Sequence, residues 1–138
     1  MPCPYLFYGQ GHVMANLRKI GAEGEDAAAQ FLLGQGYSIL ERNFATKFGE
    51  IDLIAREKNI LVFVEVKFRR TSEFGSPQEA VTRAKTLQIG RAALDYLVKK
   101  RLSGVESRFD VVAVQTVEDN KFAFELFRDA FVPPLRLP

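Results

Sequence analysis

Residues 49 to 70, GEIDLIAREKNILVFVEVKFRR, hold two apolar runs separated by the short polar turn EKNI. Runs rich in Val, Ile, Leu and Phe, entered by Gly and parted by a turn, read as β-strands at about 50–56 and 60–68. So short a link makes them an antiparallel hairpin. Side chains alternate faces along a strand. Leu61 and Phe63 therefore take one face of the second run, while Val62, Val64 and Val66 take the other. A strand apolar on both faces must be covered on both faces, so the hairpin has to sit inside a larger sheet with helices packed against it.

This buried hairpin nevertheless carries Asp52, Glu65 and Lys67. A connecting loop of two or four residues sets position 52 opposite 65 and position 50 opposite 67; an odd loop would send one acid to the other face. Cross-strand Cβ atoms are about 4.5–5.5 Å apart, so the two carboxylates nearly touch. They would repel, and one would tend to take up a proton. A divalent cation removes the conflict. Hard oxygen ligands suit Mg2+ or Mn2+, which polarises a phosphate and lowers the pKa of a bound water. Lys67 is placed to orient that water, help deprotonate it and offset charge on the transition state. The bland alternative is a solvated face with an incidental Glu–Lys pair.

The rest of the chain supplies what the hairpin needs. Ala-rich residues from about Ile20 to Leu33 predict a helix, stopped by Gly34 and Gly36. Gly21, Glu25, Ala28 and Leu32 share one stripe of it, which makes Glu25 a further candidate ligand, directly or through water. A strand at about 37–42 follows. SPQEAV predicts a second helix with Ser76 as N-cap, Pro77 in the first turn and Glu79 closing a capping box. It runs to about Lys100, with Ala80, Ala84, Leu87, Arg91, Leu94 and Val98 on one stripe. RFDVVAVQ and KFAFELF predict two more strands, the last with Phe122, Phe124 and Leu126 on one face as core. The order is α-β-β-β-α-β-β, an α/β fold with a mixed sheet, the long helix allowing a crossover to a parallel neighbour.

With 138 residues, a single domain at 18–131 is expected between an N-terminal extension at 1–17 and a C-terminal tail at 132–138. The extension also reads as upstream sequence before a start at Met14. A formal charge of +2 does not by itself demand a nucleic-acid partner. The lone Cys3 forms no internal disulfide, and no Cys/His cluster is present to hold zinc. With neither a secretory signal nor a membrane-length apolar run, the cytoplasm is the expected location.

Asp52, a gap of twelve residues, then Glu65-Val66-Lys67 resembles the D–xₙ–ExK core of the PD-(D/E)xK nucleases, a superfamily that includes archaeal Holliday-junction resolvases. More specific are GAEGEDAAAQFL, GYSILERNF, GEIDLIA, LVFVEVKFR, FGSPQEAV, RFDVVAV and DAF. Together they resemble the YraN family of small bacterial proteins over about residues 18 to 131. The resemblance implies a restriction-endonuclease-like fold and nucleic-acid binding. It gives Asp52, Glu65 and Lys67 the metal-and-lysine roles and Glu25 that of the first-helix acid, with Glu23 close by. Ile51 precedes the aspartate where the superfamily pattern has proline.

The function expected is metal-dependent phosphodiester hydrolysis in DNA, with branched or damaged DNA as candidate substrates; an adaptor of the same fold with weak or lost catalysis is the alternative. A small-molecule acid–base enzyme using Lys67 is weaker, since no Gly-rich phosphate cradle is present. Arg69 and Arg70 beside Lys67, Arg83, Lys85 and Arg91 on the second helix, and Arg42 and Lys47 flanking the hairpin form a candidate phosphate rim. Any one of them serves equally well as solvated surface charge. Lys85 and Gln88, one turn apart, are placed to face the site together. Asp110 is expected to pair with Arg108, Glu50 to be a strand-entry charge, and His12 to play no part. A homodimer is a candidate assembly, because a junction presents two symmetric strands.

Overall fold

A computed structural model describes residues 6–8, 17–69, 81–117 and 121–138. Its elements are β1 (Leu6–Tyr8), α1 (Leu17–Gly34), β2 (Tyr37–Thr46), β3 (Gly49–Glu57), β4 (Ile60–Arg69), α2 (Arg83–Lys99), β5 (Ser107–Val117) and β6 (Lys121–Phe131). From α1 onward the order is the α-β-β-β-α-β-β that the sequence pattern implies. The stretch read as an extension contributes a short strand, β1, paired antiparallel with β6 through Phe7 and Phe122.

The six strands form one sheet in the order β1-β6-β5-β4-β3-β2. β4 and β5 run parallel, joined by the crossover through α2, and the other neighbours are antiparallel. The apolar hairpin is thereby interior, with β4 between β3 and β5. Val62, Val64 and Val66 pack with Ala28, Phe31 and Leu32 of α1. Leu61 and Phe63 pack on the opposite side with Ile89, Ala93, Tyr96 and Leu97 of α2. Each helix covers one face, which is why β4 is apolar on both. Full burial of side chains such as Phe63, Val64 and Leu61 contributes about 1.5–3 kcal/mol apiece.

The first helix keeps its expected stripe, with Ala28 and Leu32 fully buried. It continues through Gly34, and the chain turns at Gly36, whose φ of +95° suits a residue without a Cβ. The second helix differs from expectation. It begins at Arg83 behind Thr82, whose side chain accepts the Lys85 N–H as an N-cap. Residues 81 and 82 are not helical, so no continuous helix runs from Ser76, and Ser76, Pro77 and Glu79 lie outside the described residues. Its inward face is also different: Ile89, Gly90, Ala92, Ala93, Tyr96 and Leu97 are buried, while Arg91 is exposed and Val98 is 64% exposed. The small residues Ala92 and Ala93 let α2 approach the sheet closely. The tail is not free: Leu137 packs onto the α2 core, and Pro133 and Leu135 lie over Gly90.

Candidate functional site

Lys58 and Asn59 make a two-residue turn between β3 and β4, one of the two even lengths the reasoning required. The paired register runs from Glu57↔Ile60 to Leu53↔Val64 and there stops. Continued by one step it sets Asp52 beside Glu65. Instead of a backbone carbonyl, the Asp52 carboxylate takes the next donor, Oδ2 accepting from the Val66 N–H at 2.8 Å. Alternation breaks at the same place. Leu53 packs on the α1 side, but Ile51 and Ile54 both pack on the α2 side. Across the β2–β3 ladder, Asn43 falls between the pairs Arg42↔Leu53 and Phe44↔Ile51 and has φ of +52°. A left-handed Asn next to Asp52 bends the two strands together and opens β3 away from β4.

Glu65 sits in that opening. Its side chain is only 10% exposed, and Oε2 has no hydrogen-bond partner; the Lys85 amine stands 3.6 Å away. Burial, reinforced by the adjoining Asp52 carboxylate and partly opposed by Lys85, pushes the Glu65 pKa up to about 8. The Asp52 and Glu65 carboxyl groups thus stand next to one another. Lys67 follows two residues along β4 and lines a hollow of about 460 Å³ with Glu65, Thr82 and Lys85.

Glu25 approaches from α1. Its pKa is raised, first by burial and then by Asp52 and Glu50. In the orientation that satisfies its neighbours, the Asn43 amide nitrogen donates to Glu50 Oε1 at 3.1 Å and to Glu25 Oε2 at 3.3 Å. Among the described residues no three Asp, Glu, His or Cys side chains are arranged to hold a metal. The expectation of Glu25 as a direct third ligand is therefore revised: it is an electrostatic neighbour of the pair. The pair by itself still fits a magnesium-like ion, which commonly binds through one or two carboxylates and keeps several waters. The partnerless, buried Oε2 of Glu65 is the kind of oxygen such an ion would satisfy.

The expected phosphate rim is only partly assembled. Arg69 donates to Glu125 Oε1 on β6 at 2.9 Å and is 17% exposed, so an intramolecular pair holds it rather than leaving it on a rim. Arg42 is paired with Asp26 of α1, which likewise compensates its charge. Arg70 lies outside the described residues. Lys85 does reach the site, whereas Gln88 and Arg91 border a second hollow with Lys47 and Phe48. Asn43 was not singled out from sequence, although an Asn inside the strand segment ERNFAT is a signal: Asn is depleted in strands and tolerates the left-handed region.

A second polar cluster lies toward the β3–β4 turn. Asp110, fully buried, accepts from Arg108 Nε at 2.9 Å, Tyr37 Oη at 2.7 Å and the Asp129 N–H at 2.9 Å. Arg108 also donates to Glu57 at 2.5 Å, and Glu57 accepts from Arg128 at 2.8 Å. Both Asp110 oxygens are used, so this network ties β2, β3, β5 and β6 together; the expected Arg108–Asp110 pair is its centre.

Among solved structures, Pyrococcus furiosus SfsA in complex with Ca2+ has a TM-score of 0.34 and 11% identity, covering 82% of this chain and 64% of that one. That likeness is too loose to carry a property across. Sequence relatives are much nearer. A UPF0102 protein of Desulfosudis oleivorans is 50% identical over 119 residues, 86% of this chain and 94% of its own. Another, from Geotalea daltonii, is 47% identical over 114 residues, covering 83% and 90%. With residues 24–114 matching the family's model as well, the chain belongs to the uncharacterised protein family UPF0102.

Proposed function

We propose that the chain is a metal-dependent nuclease of restriction-endonuclease-like type, hydrolysing phosphodiester bonds in DNA, with branched or damaged DNA as the favoured substrates. The observation that carries this reading is the Asp52–Glu65 pair at the point where β3 leaves β4, with Glu65 Oε2 buried and without a hydrogen bond and two lysines alongside. Asp52 and Glu65 would hold Mg2+ or Mn2+. When bound, such an ion supplies charge stabilisation at the phosphate and makes a water more acidic.

The chain's own groups do the rest. Asp52 is held in place by the Val66 N–H, so its orientation is set by backbone rather than by a flexible partner. Lys67, beside Glu65 in the hollow, is placed to orient the attacking water, accept its proton and offset charge building on the phosphate. Lys85 stands 3.6 Å from Glu65 and would turn to a phosphate once that carboxylate holds the ion. Glu25 and Glu50, bridged by Asn43, keep the potential around Asp52 negative and favour cation entry. No helix among the described residues is long and apolar enough to cross a membrane; we infer a cytoplasmic protein working on intracellular nucleic acid.

One observation favours a second reading, an adaptor that binds DNA without cutting it: the Lys85–Glu65 ion pair already occupies the carboxylate a metal needs. Cleavage of linear, flapped and four-way DNA with and without Mn2+ separates the two. Metal-dependent cutting that disappears in both Glu65→Ala and Lys67→Ala is the expected result. Binding without cutting, unchanged in those variants, would replace the nuclease reading by the adaptor.

A further inference from the structure

Beyond the acidic hollow, the fold builds a second, larger one that contains no carboxylate. It has a volume of about 620 Å³ and is bordered by Lys47 and Phe48 of the β2–β3 turn and by Thr82, Lys85, Gln88 and Arg91 of α2. Thr82 and Lys85 also border the Glu65–Lys67 hollow, so the two lie side by side at the first turn of α2. We infer that this groove is the track for an unpaired strand of nucleic acid leading into the site, with Phe48 as the platform on which one of its bases stacks. The inference rests on the nuclease reading and names the substrate feature that reading leaves open: a single-stranded segment next to the scissile phosphate.

Charge is the first argument. Lys47 and Arg91 have no carboxylate partner among the described residues, and Lys85 has only Glu65, at 3.6 Å. The chain as a whole carries a formal +2, yet here three cations border one groove, and two of them, Lys47 and Arg91, have no counter-charge among the described residues. Uncompensated cations along a groove suit a ligand with repeating negative charge.

Phe48 is the second argument. It belongs to neither core cluster, whereas Phe44 and Phe63 pack against Tyr96. Its turn is instead fixed from below: Thr46 Oγ1 accepts the Phe48 N–H at 3.0 Å and donates to the Gly49 carbonyl at 2.9 Å. The turn is thereby held in place, the half-buried ring borders the groove, and the Lys47 amine lies 5.2 Å from its centroid. A base arriving on the ring displaces that amine, which then meets the adjoining phosphate. A continuous duplex has its bases stacked inside and offers such a ring nothing; an unpaired strand offers both base faces and phosphates.

The test is fluorescence anisotropy with the full chain in EDTA, so that no substrate is cut. The probes are a blunt duplex and the same duplex carrying a short unpaired oligodeoxythymidine or oligouridine tail. The tailed duplexes should bind at least 10-fold more tightly than the blunt one. Phe48→Ala should lose roughly 5- to 100-fold on tailed probes, the range that base–aromatic stacking supports, and little on the blunt duplex. Phe48→Trp should restore it. Arg91→Ala, outside the core and safe for folding, should weaken tailed binding and flatten its salt dependence. Equal affinity for blunt and tailed probes, with Phe48→Ala altering neither, overturns the track. Should the wild type still cut blunt duplex with Mn2+, the nuclease reading survives that loss; no binding and no cutting of any probe removes both.

Discussion

Replacing Glu65 by Gln should stabilise this protein at neutral to alkaline pH in the absence of metal, because the wild-type carboxyl sits where its charge is unwelcome. Its pKa rises from 4.5 in the unfolded chain to about 8 in the fold, through burial first and the Asp52 charge second. Below pH 4.5 both states hold the proton and the site is neutral on this account. Between 4.5 and 8 the unfolded state releases the proton while the folded state keeps it, so stability falls as pH rises. At 1.36 kcal/mol per pH unit, the loss by pH 8 is on the order of 4 kcal/mol. Glutamine has the shape of the protonated acid and no proton to lose. Urea unfolding in EDTA at pH 4.5 and pH 8 should therefore show the variant equal to wild type at the lower pH and more stable at the higher. Adding Mn2+ at pH 8 should raise the wild-type midpoint and leave that of Glu65→Gln nearly unmoved, since only the carboxylate binds a cation. Stability curves for the two proteins that run parallel from pH 4.5 to 8 would refute the reasoning.

The buried network around Asp110 gives the opposite dependence. Hydrogen bonds from Arg128 and Arg108 hold the Glu57 pKa down to about 2, so its contribution is complete above pH 4.5 and disappears as pH falls through 2. Glu57→Gln should destabilise by about 3 kcal/mol at pH 7 and by progressively less on acidification, read from urea midpoints. A Cβ at Gly90 would lie 2.6 Å from Pro133 Cβ and 3.1 Å from Leu135 Cδ2. Gly90→Ala should therefore cost about 1–3 kcal/mol in the full chain and much less once residues 132–138 are removed, as thermal melts of the four proteins would show.

Much of this was legible because it depends on local rules. Alternation in ILVFVEVKF dictates a strand covered on both faces, and an even turn at Lys58–Asn59 dictates which acid faces which. What escaped depends on contacts distant in sequence. The stripe Ala84–Leu87–Arg91–Leu94–Val98 satisfies helical periodicity as well as the true inner face does; the small residues Ala92 and Ala93 decide between them, because they let α2 pack closely on Phe63 and Phe109. Thr82 and Ser76 are both chemically fit to cap, and the local sequence does not choose. Arg69 reads as a free cation until β6 brings Glu125 beside it, fifty-six positions along the chain.

The position of the candidate site follows from the same logic. Inside a regular ladder, Asp52 and Glu65 would be pressed together with every neighbouring backbone group already paired, leaving no room for a cation or a phosphate. The left-handed Asn43 and the bond from Val66 to Asp52 interrupt the ladder where the acids stand, turning a packed sheet position into a pocket mouth. That interruption removes backbone pairing and leaves a buried acid with its charge disfavoured. The fold can tolerate both because its order is secured elsewhere: Arg108, Asp110, Tyr37, Glu57 and Arg128 join four strands through a network remote from the opening. Loss of that network should loosen the whole sheet, whereas loss of Glu65 should tighten it. Such opposed effects from two buried carboxylates distinguish a group kept for structure from one kept for chemistry.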